Sequence, residues 1–512
     1  MCGFFLTNDA SVNDNLSGVL KRRLAFRGPD FQSEIVHHHG WRLYHSRLSI
    51  IATDIAYSQP FVTESEGVLV FNGEILNYKE LALKHNIANP TSDTQVLSQL
   101  IELGSFDLNQ IDGFFAFAYI DKFGKLVHCA RDRFGVKPLS YIKNGNAISI
   151  SSEPSVLSDL YNLDYCPLAL EEYRVFRAPI LSDSYFKNIN VVEPGSCLIK
   201  GSYFDSLNYI PESYSNINNL MPKLRETIND SIESRLVSDV PVGLLYSGGI
   251  DSNLIGSYLD ESTPRFTGGQ NDSYDVKFAE ENKNKNSYIL SISNNQFSKR
   301  FKEMIRLRKE PLSVPNEVIL SFLAENWARD GGKVLLSGEA ADELFAGYDR
   351  IFYWALRAKE FNLEQFLSFY AYVPVDQIEE SIKIQLEHFF EGLADLSPFE
   401  KVRHFFIKKH LPILFRRLDF ALMFSGVEGR EPLASFKMFE IALKFSPADL
   451  FVKNLGKYPL REIVQNSMGG EFAFRKKVGF PVDVKEIFTG NKSLGRHDNY
   501  VSWFNSNMEE LL

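Results

Sequence analysis

Two patterns of apolar and polar positions divide the chain. Over residues 1–203, short apolar runs are separated by turn residues: EGVLVFNGEI (66–75), FFAFAYID (114–121), KLVHCARD (125–132) and NAISISSE (146–153). Each has the length and continuous apolar character of a strand covered on both faces. Asn72-Gly73 and Asp112-Gly113 read as turn signals between them. VVEPGSCLIKG (191–201) reads as a last strand pair around a Pro-Gly turn, and the polar, aromatic stretch 203–217 as a linker. After it, 218–239 has helical periodicity and VPVGLLYSGG (240–249) is a strand running into a glycine turn. RFTGG (265–269), SYILSIS (287–293) and GKVLLSG (332–338) are further strands. Strands alternating with helices predict a parallel α/β sheet. Beyond 350 the pattern is mainly helical, with 401–424 carrying apolar positions at three- and four-residue spacing. The expected division is a domain over 1–203 and a second over 218–512. ENKNKNS (281–287) reads as a solvated loop.

Composition adds limits. The chain has 512 residues, 44% apolar and 13% aromatic, which supplies core for more than one domain. The net charge of -10 and the lack of a Lys/Arg run argue against a nucleic-acid backbone as partner. Small anionic substrates remain compatible with it, because a site can be locally basic. Cys2, Cys129, Cys166 and Cys197 form no close pair, which reads as reduced, cytoplasmic usage. The N-terminus lacks the form of a signal peptide, and no stretch approaches the ~18 apolar residues of a membrane span.

The candidate chemistry lies at turns. In LLYSGGIDS (244–252) a strand ends, two glycines turn the backbone, and Ser and Asp follow at a helix start. Backbone N–H groups there point at an anion. The lysine of the common nucleotide loop is missing and Asp251 is present instead. S-G-G-x-D-S is the loop of the ATP pyrophosphatase class, in which Asp251 would bind Mg²⁺. LLSGEAADELFAGY (335–348) repeats the logic at a second strand end. Ser337 and Gly338 would approach the ribose or α-phosphate, and Asp342 would share the metal. Two such strand ends side by side are how α/β sheets make nucleotide pockets. In RKKVGF (475–480), Arg475 and Lys477 could neutralise charge on a leaving pyrophosphate, or form a solvated basic turn. At the other end of the chain, MCGFF would expose a Cys2 thiol beside its own α-amine once the methionine is trimmed, a nucleophile with its base attached. His37-His38-His39 cannot all face one ion in a strand, and reads as a polar surface strand or turn.

These residues resemble the glutamine-dependent asparagine synthetase family over essentially the full length. The first half matches in Cys2-Gly3, RGPD (27–30), HSRLSI (45–50), FNGEI-x-NY (71–78), TSDT (91–94), DGFFAFA (112–118), RDRFGVKPL (131–139) and SSE (151–153). The second matches in SGGIDS, SGEAADELFAGY, GVEGREP (426–432) and R-x-K-x-GF. The resemblance implies an αββα N-terminal-nucleophile glutaminase followed by a parallel-sheet ATP-pyrophosphatase domain with added helices. It implies that Cys2 attacks glutamine, that Asn72 and the Gly73 N–H form the oxyanion hole, and that Arg47 holds the substrate α-carboxylate. Glu74 and Asp93 would hold its α-amino group, and Arg27 would organise the chain near Cys2. Ammonia would pass through a dry tunnel to the second site. There ATP with Mg²⁺ would adenylate aspartate, with Glu339 assisting ammonia and Lys477 stabilising the transition state. Leu245, Ser247, Gly248, Gly249, Asp251, Ser252, Ser337 and Gly338 would bind ATP, and Asp251 and Asp342 the metal. Asparagine, AMP and pyrophosphate would result, and the family suggests a homodimer.

Some positions depart from the family pattern. Ala340 replaces a glycine, Ser435 stands where Asp is usual, and a histidine–glutamate pair often found after RFTGG is absent. Sequences with GREP resemble relatives from surface-sugar clusters that amidate uronic acids. These changes lie in the synthetase half, so the resemblance specifies the nitrogen donor more tightly than the acceptor. The alternative acceptor is another carboxylate, such as a sugar uronic acid. The β-lactam-forming relatives carry tyrosine at the Glu339 position and lack the leading cysteine, so Cys2 and Glu339 set that branch aside. Arg416-Arg417 fit either a helix face or the acceptor site.

Overall fold

A computed structural model describes residues 2–12, 15–104, 106–270, 273–476 and 482–512. Its first half is built on two antiparallel sheets. In one, Ser140–Asn144, Ala147–Ser151, Cys2–Thr7 and Trp41–Arg47 lie side by side. In the other, Leu126–Arg131, Gly113–Ile120 and Val68–Ile75 do. Alternate residues of a strand face opposite ways. Phe4, Leu6, Leu43, Val70 and Ala118 therefore meet in a core between the sheets. Phe5 and Tyr44 turn outward beneath the helices Leu16–Leu24 and Pro154–Tyr161. On the opposite side Leu69, Phe71, Phe115 and Phe117 lie beneath Tyr78–Lys84 and Asp93–Glu102. The layers run α, β, β, α. Every residue of Cys2–Thr7 and of Val68–Ile75 is buried, including the polar Asn72 and Glu74 of the second strand.

The second half holds a five-stranded parallel sheet in the order Ser287–Ser291, Arg265–Gly269, Val242–Leu245, Val334–Leu336, Glu428–Arg430. The chain starts at Val242–Leu245, steps outward twice, then returns to the other side of its first strand. The strand order thus reverses between Val242–Leu245 and Val334–Leu336, and the crevice outside such a reversal is where open α/β sheets bind ligands. Helices Asn316–Arg329 and Leu411–Met423 cover one face through Leu323, Trp327, Leu418 and Leu422. Ile217–Arg235 covers the other through Leu224 and Ile228. The halves share one core, in which Leu76, Phe114 and Val136 of the first pack with Leu224, Leu336 and Leu433 of the second.

Four expectations change. Asn72-Gly73 is no turn but lies inside Val68–Ile75, where Gly73 takes φ +138°. The 191–201 segment is not a hairpin: Asn190–Val191 pairs with Ser140–Asn144, whereas Ser196–Cys197 pairs with Leu126–Arg131 of the other sheet. Pro194-Gly195 carries the chain between layers. The 203–217 stretch is anchored by Phe204, which packs against Phe134 and Phe439. The 401–424 periodicity covers Pro398–Phe405 and Leu411–Met423 with a π-helical turn, Phe406–His410, between them. Pro412 has no N–H to continue the regular ladder there.

Candidate active sites

Cys2 begins an interior strand and pairs with Arg47, so its position is fixed by a sheet rather than a loop. Its backbone N donates to Asn72 Oδ1 at 3.0 Å. Asn72 Nδ2 is buried and has no hydrogen-bond partner. A donor left without a partner costs free energy, and one beside a candidate nucleophile is placed to receive an oxyanion. Gly73 is required here, since a Cβ would sit 2.0 Å from Phe114 O. Burial pushes the Cys2 thiol up, while the Leu48 N–H and Arg47 pull against it. Arg47 is buried, with Nη1 donating to Asp54 O (2.7 Å) and Nη2 to Ala52 O (2.5 Å). A loop therefore anchors its fork beside the strand.

Glu74 and Asp93 are both buried. Asp93 opens a helix capped by Ser92 and accepts from Ile75 N (3.1 Å) and Thr94 N (2.7 Å). A hydrogen bond joins the two carboxyls, burial raises Asp93, and burial with Asp93 and Glu428 nearby holds Glu74 well above the usual range. Two carboxyls in one dry place favour a cation between them. Arg27 Nε donates to Cys2 O at 3.0 Å, and its Nη1 reaches Glu153 at 2.7 Å.

At the reversal of the parallel sheet lies a cavity of about 450 Å³. It is lined by Leu245, Ser247, Gly248, Gly249, Asp251 and Ser252 from one strand end and by Ser337, Gly338, Glu339 and Asp342 from the next. The predicted nucleotide set is thus brought together. Its loop is locked from within: Asn253 Nδ2 donates to Ser247 O (3.0 Å) and Gly249 O (2.7 Å). Ser252 Oγ accepts from Ser247 N, so this hydroxyl already serves the loop. Arg475 closes over the loop, bonded to Gly248 O and Tyr274 Oη. Lys477 lies outside the described residues.

Sequence reasoning passed over Lys457. Its Nζ lies 2.8 Å from both Asp251 oxygens and 2.7 Å from Asp342 Oδ1, with 4% of the side chain exposed. Gly347 leaves room for this contact, since a Cβ there would meet Asp342 Oδ1 at 1.9 Å and Lys457 Cε at 2.1 Å. The two carboxylates converge on one cationic point, and two such hard oxygen donors beside a glycine loop also suit Mg²⁺. No third His, Cys, Asp or Glu joins them among the described residues. A lysine in a loop 115 residues beyond Asp342 has no local signal; only the left-handed backbone of Lys457 marks it. A second cavity of about 370 Å³ shares Tyr348, His410 and Arg417 with the first. Tyr348 Oη donates to Glu343 (2.6 Å) and bonds His410 Nε2 (3.2 Å), while Tyr370 Oη bonds His410 Nδ1 (2.8 Å). Burial pushes Glu343 up to about 8 and His410 down to about 3.

Both halves of the chain match known families. Residues 223–502 match the family model described as asparagine synthase, and residues 1–208 match the glutamine amidotransferase domain. The chain belongs to the asparagine synthase family. It is 28% identical over 567 aligned positions to glutamine-hydrolyzing asparagine synthetase 1 of Bacillus subtilis, covering 95% of this chain and 87% of that one. It is 31% identical to putative glutamine-hydrolyzing asparagine synthetase 1 of Methanocaldococcus jannaschii, covering 82% and 72%. A putative glutamine-hydrolyzing asparagine synthetase of Mycobacterium bovis is 30% identical over 59% of this chain and 51% of its own length.

The departures from the asparagine synthase pattern now have places. Ala340 has φ +77°, a left-handed conformation natural to the glycine it replaces. Ser435 caps the helix Phe436–Lys444 by accepting from Met438 N at 3.2 Å, a task Asp performs equally well. The Arg416-Arg417 pair is split between two surroundings. Arg416 reaches Glu153 and Glu310, whereas Arg417 faces the cavity and Glu339 at 3.4 Å. His38 sits in a short edge strand, bonded to Asp121 O at 2.9 Å. All four cysteines are free thiols, and no described helix is long and apolar enough to cross a membrane.

Proposed function

We propose that the chain is a glutamine-dependent asparagine synthetase. With Met1 removed, the Cys2 α-amine takes the thiol proton and the thiolate attacks the glutamine carboxamide. Asn72 Nδ2 and the Gly73 N–H hold the resulting oxyanion. Arg47 pairs the substrate carboxylate and Glu74 with Asp93 the α-ammonium. The protonated amine passes that proton to the amide nitrogen as the C–N bond breaks, ammonia leaves, and glutamate is released after water opens the thioester.

In the second site ATP occupies the cavity at the sheet reversal, with its phosphates against the Ser247–Gly249 loop, whose Gly248 N–H is held by Asp275 at 2.7 Å and must exchange that carboxylate for phosphate. Asp251 and Asp342 would hold Mg²⁺, which when bound neutralises phosphate charge. Lys457 lies against the same carboxylates, where negative charge grows as pyrophosphate departs. Lys477 is assigned to the same task from the sequence. Aspartate attacks the α-phosphorus, giving a mixed anhydride and pyrophosphate. Ammonia, delivered through the buried interface of the halves, displaces AMP, and Glu339 receives the proton of the attacking nitrogen.

The observation that carries the reading is the convergence of Asp251, Asp342 and Lys457 at the mouth of the reversal, because a plain glutaminase whose second half did no chemistry would have no use for it. The test is pyrophosphate release with ATP, Mg²⁺ and glutamine, with and without aspartate, and products identified by mass. Aspartate-dependent release with asparagine formed supports the reading, and no release with any acid defeats it. The test also covers a second acceptor class, because the 370 Å³ annex, walled by tyrosines and by Arg177, Arg350 and Arg417, has room beyond that of aspartate. Release only with a uronic acid would keep the mechanism and change the substrate.

A further inference from the structure

Helix Leu411–Met423 belongs to the synthetase half and lies in apolar core on several sides through Leu414, Phe415, Leu418, Phe420 and Leu422. Its polar residues touch both active sites. Positions 416 and 419 are three apart and share a face, while 417 is turned about 100° from 416. On the shared face Asp419 Oδ2 lies 2.8 Å from Arg27 Nη1. Lys137 Nζ lies 3.4 Å from the other Asp419 oxygen, and Arg416 lies 2.8 Å from Glu153. Glu153 in turn holds the same Arg27 nitrogen at 2.7 Å. Arg27 is wholly buried, and its Nε carries the Cys2 carbonyl. On the other face Arg417 meets Glu339 at 3.4 Å in the synthetase cavity.

We propose that Asp419 is a positioning residue for glutamine hydrolysis, acting from the synthetase half by fixing Arg27 and through it the Cys2 backbone, and that this helix conveys synthetase-site occupancy to Cys2. A charged partner at 2% exposure sets a guanidinium in one orientation, because a dry site offers no water to take its place. Arg27 then has a single way to present Nε to the Cys2 carbonyl. Arg417 and Asp419 stand on one helix, so a displacement of that helix at the synthetase site reaches Arg27 through Asp419. The proposal rests on the assignment of Cys2 as the nucleophile.

The test measures glutamate release in wild type, Cys2→Ala, Asp419→Asn, Asp419→Glu and Arg27→Lys, each with and without ATP and acceptor. Pyrophosphate release with ammonium chloride as nitrogen source and the thermal midpoint are read in parallel. Asp419→Asn is expected to lower glutaminase kcat by about 10- to 100-fold with a smaller change in KM for glutamine, since misplacement rather than lost binding is at work. It should also abolish stimulation by ATP and acceptor, leave ammonia-dependent release within about threefold, and be partly rescued in Asp419→Glu. Wild-type glutaminase in a folded Asp419→Asn, or parallel loss of both activities, overturns the proposal. If Asp419→Asn does not fold, Arg27→Lys decides: it keeps the charge but loses the Nε bond, so undiminished glutaminase there overturns the proposal. Glutamate release by Cys2→Ala overturns the Cys2 assignment instead, whatever Asp419→Asn shows.

Discussion

Replacing Lys457 by methionine separates the two chemistries most sharply. The ammonium makes charge-assisted contacts of 2.7–2.8 Å to Asp251 and Asp342. Each such contact contributes about 1.5–3 kcal/mol where water is excluded. The carboxylates keep 19% and 15% exposure, so water replaces part of that in the resting enzyme. Methionine retains most of the volume, so the loss to the fold is confined to the part of those contacts that water at the carboxylates does not replace. In the transition state the ammonium faces charge arriving on the pyrophosphate, and losing one preorganised donor at such a centre costs about 3–4 kcal/mol, or 10²- to 10³-fold in rate. Lys457→Met is therefore expected to slow ammonia-dependent pyrophosphate release by that factor while glutamate release stays within about twofold. Both rates come from one preparation, pyrophosphate by a coupled assay and glutamate by a dehydrogenase assay. A pyrophosphate rate within threefold of wild type would falsify the assignment of Lys457, and equal losses would show a general defect.

Further outcomes follow from other sites. Gly73→Ala places a Cβ 2.0 Å from Phe114 O at φ +138°, so glutaminase should fall at least about 100-fold while ammonia-dependent synthesis persists. Burial pushes Glu431 up to about 7 from an ordinary 4.5, so the folded chain keeps a proton that the unfolded chain loses above pH 4.5. Stability should accordingly fall as pH rises from 4.5 to 7, by on the order of 3 kcal/mol, and denaturant titrations of Glu431→Gln should show a flatter dependence. Tyr348→Phe removes the bonds to Glu343 and His410, and kinetics should show a raised acceptor KM with the ATP KM little changed. An unchanged acceptor KM would place the acceptor elsewhere.

Much of the architecture was legible in the chain. Strands covered on both faces carry apolar runs such as those at 68–71 and 114–118, and the strand–helix alternation required a parallel sheet. Cys2, SGGIDS and SGEAADEL carry their chemistry in local order, since glycine turns at strand ends need neighbouring residues and little else. Misread elements were those whose meaning depends on a distant neighbour. Asn72-Gly73 has turn composition, yet its glycine serves a close approach to Phe114 within a strand. The 191–201 segment has hairpin composition, yet its two ends have partners in different sheets. Lys457, Asp419 and the annex around Tyr348 depend wholly on tertiary structure. A single lysine or aspartate has no pattern, and only folding sets it beside carboxylates or guanidinium groups hundreds of positions away. The sequence by itself determined which chemical groups exist and which local turns present them. The tertiary structure alone decided which charges pair in the dry interior, because that pairing is set by the distances between elements and not by spacing along the chain.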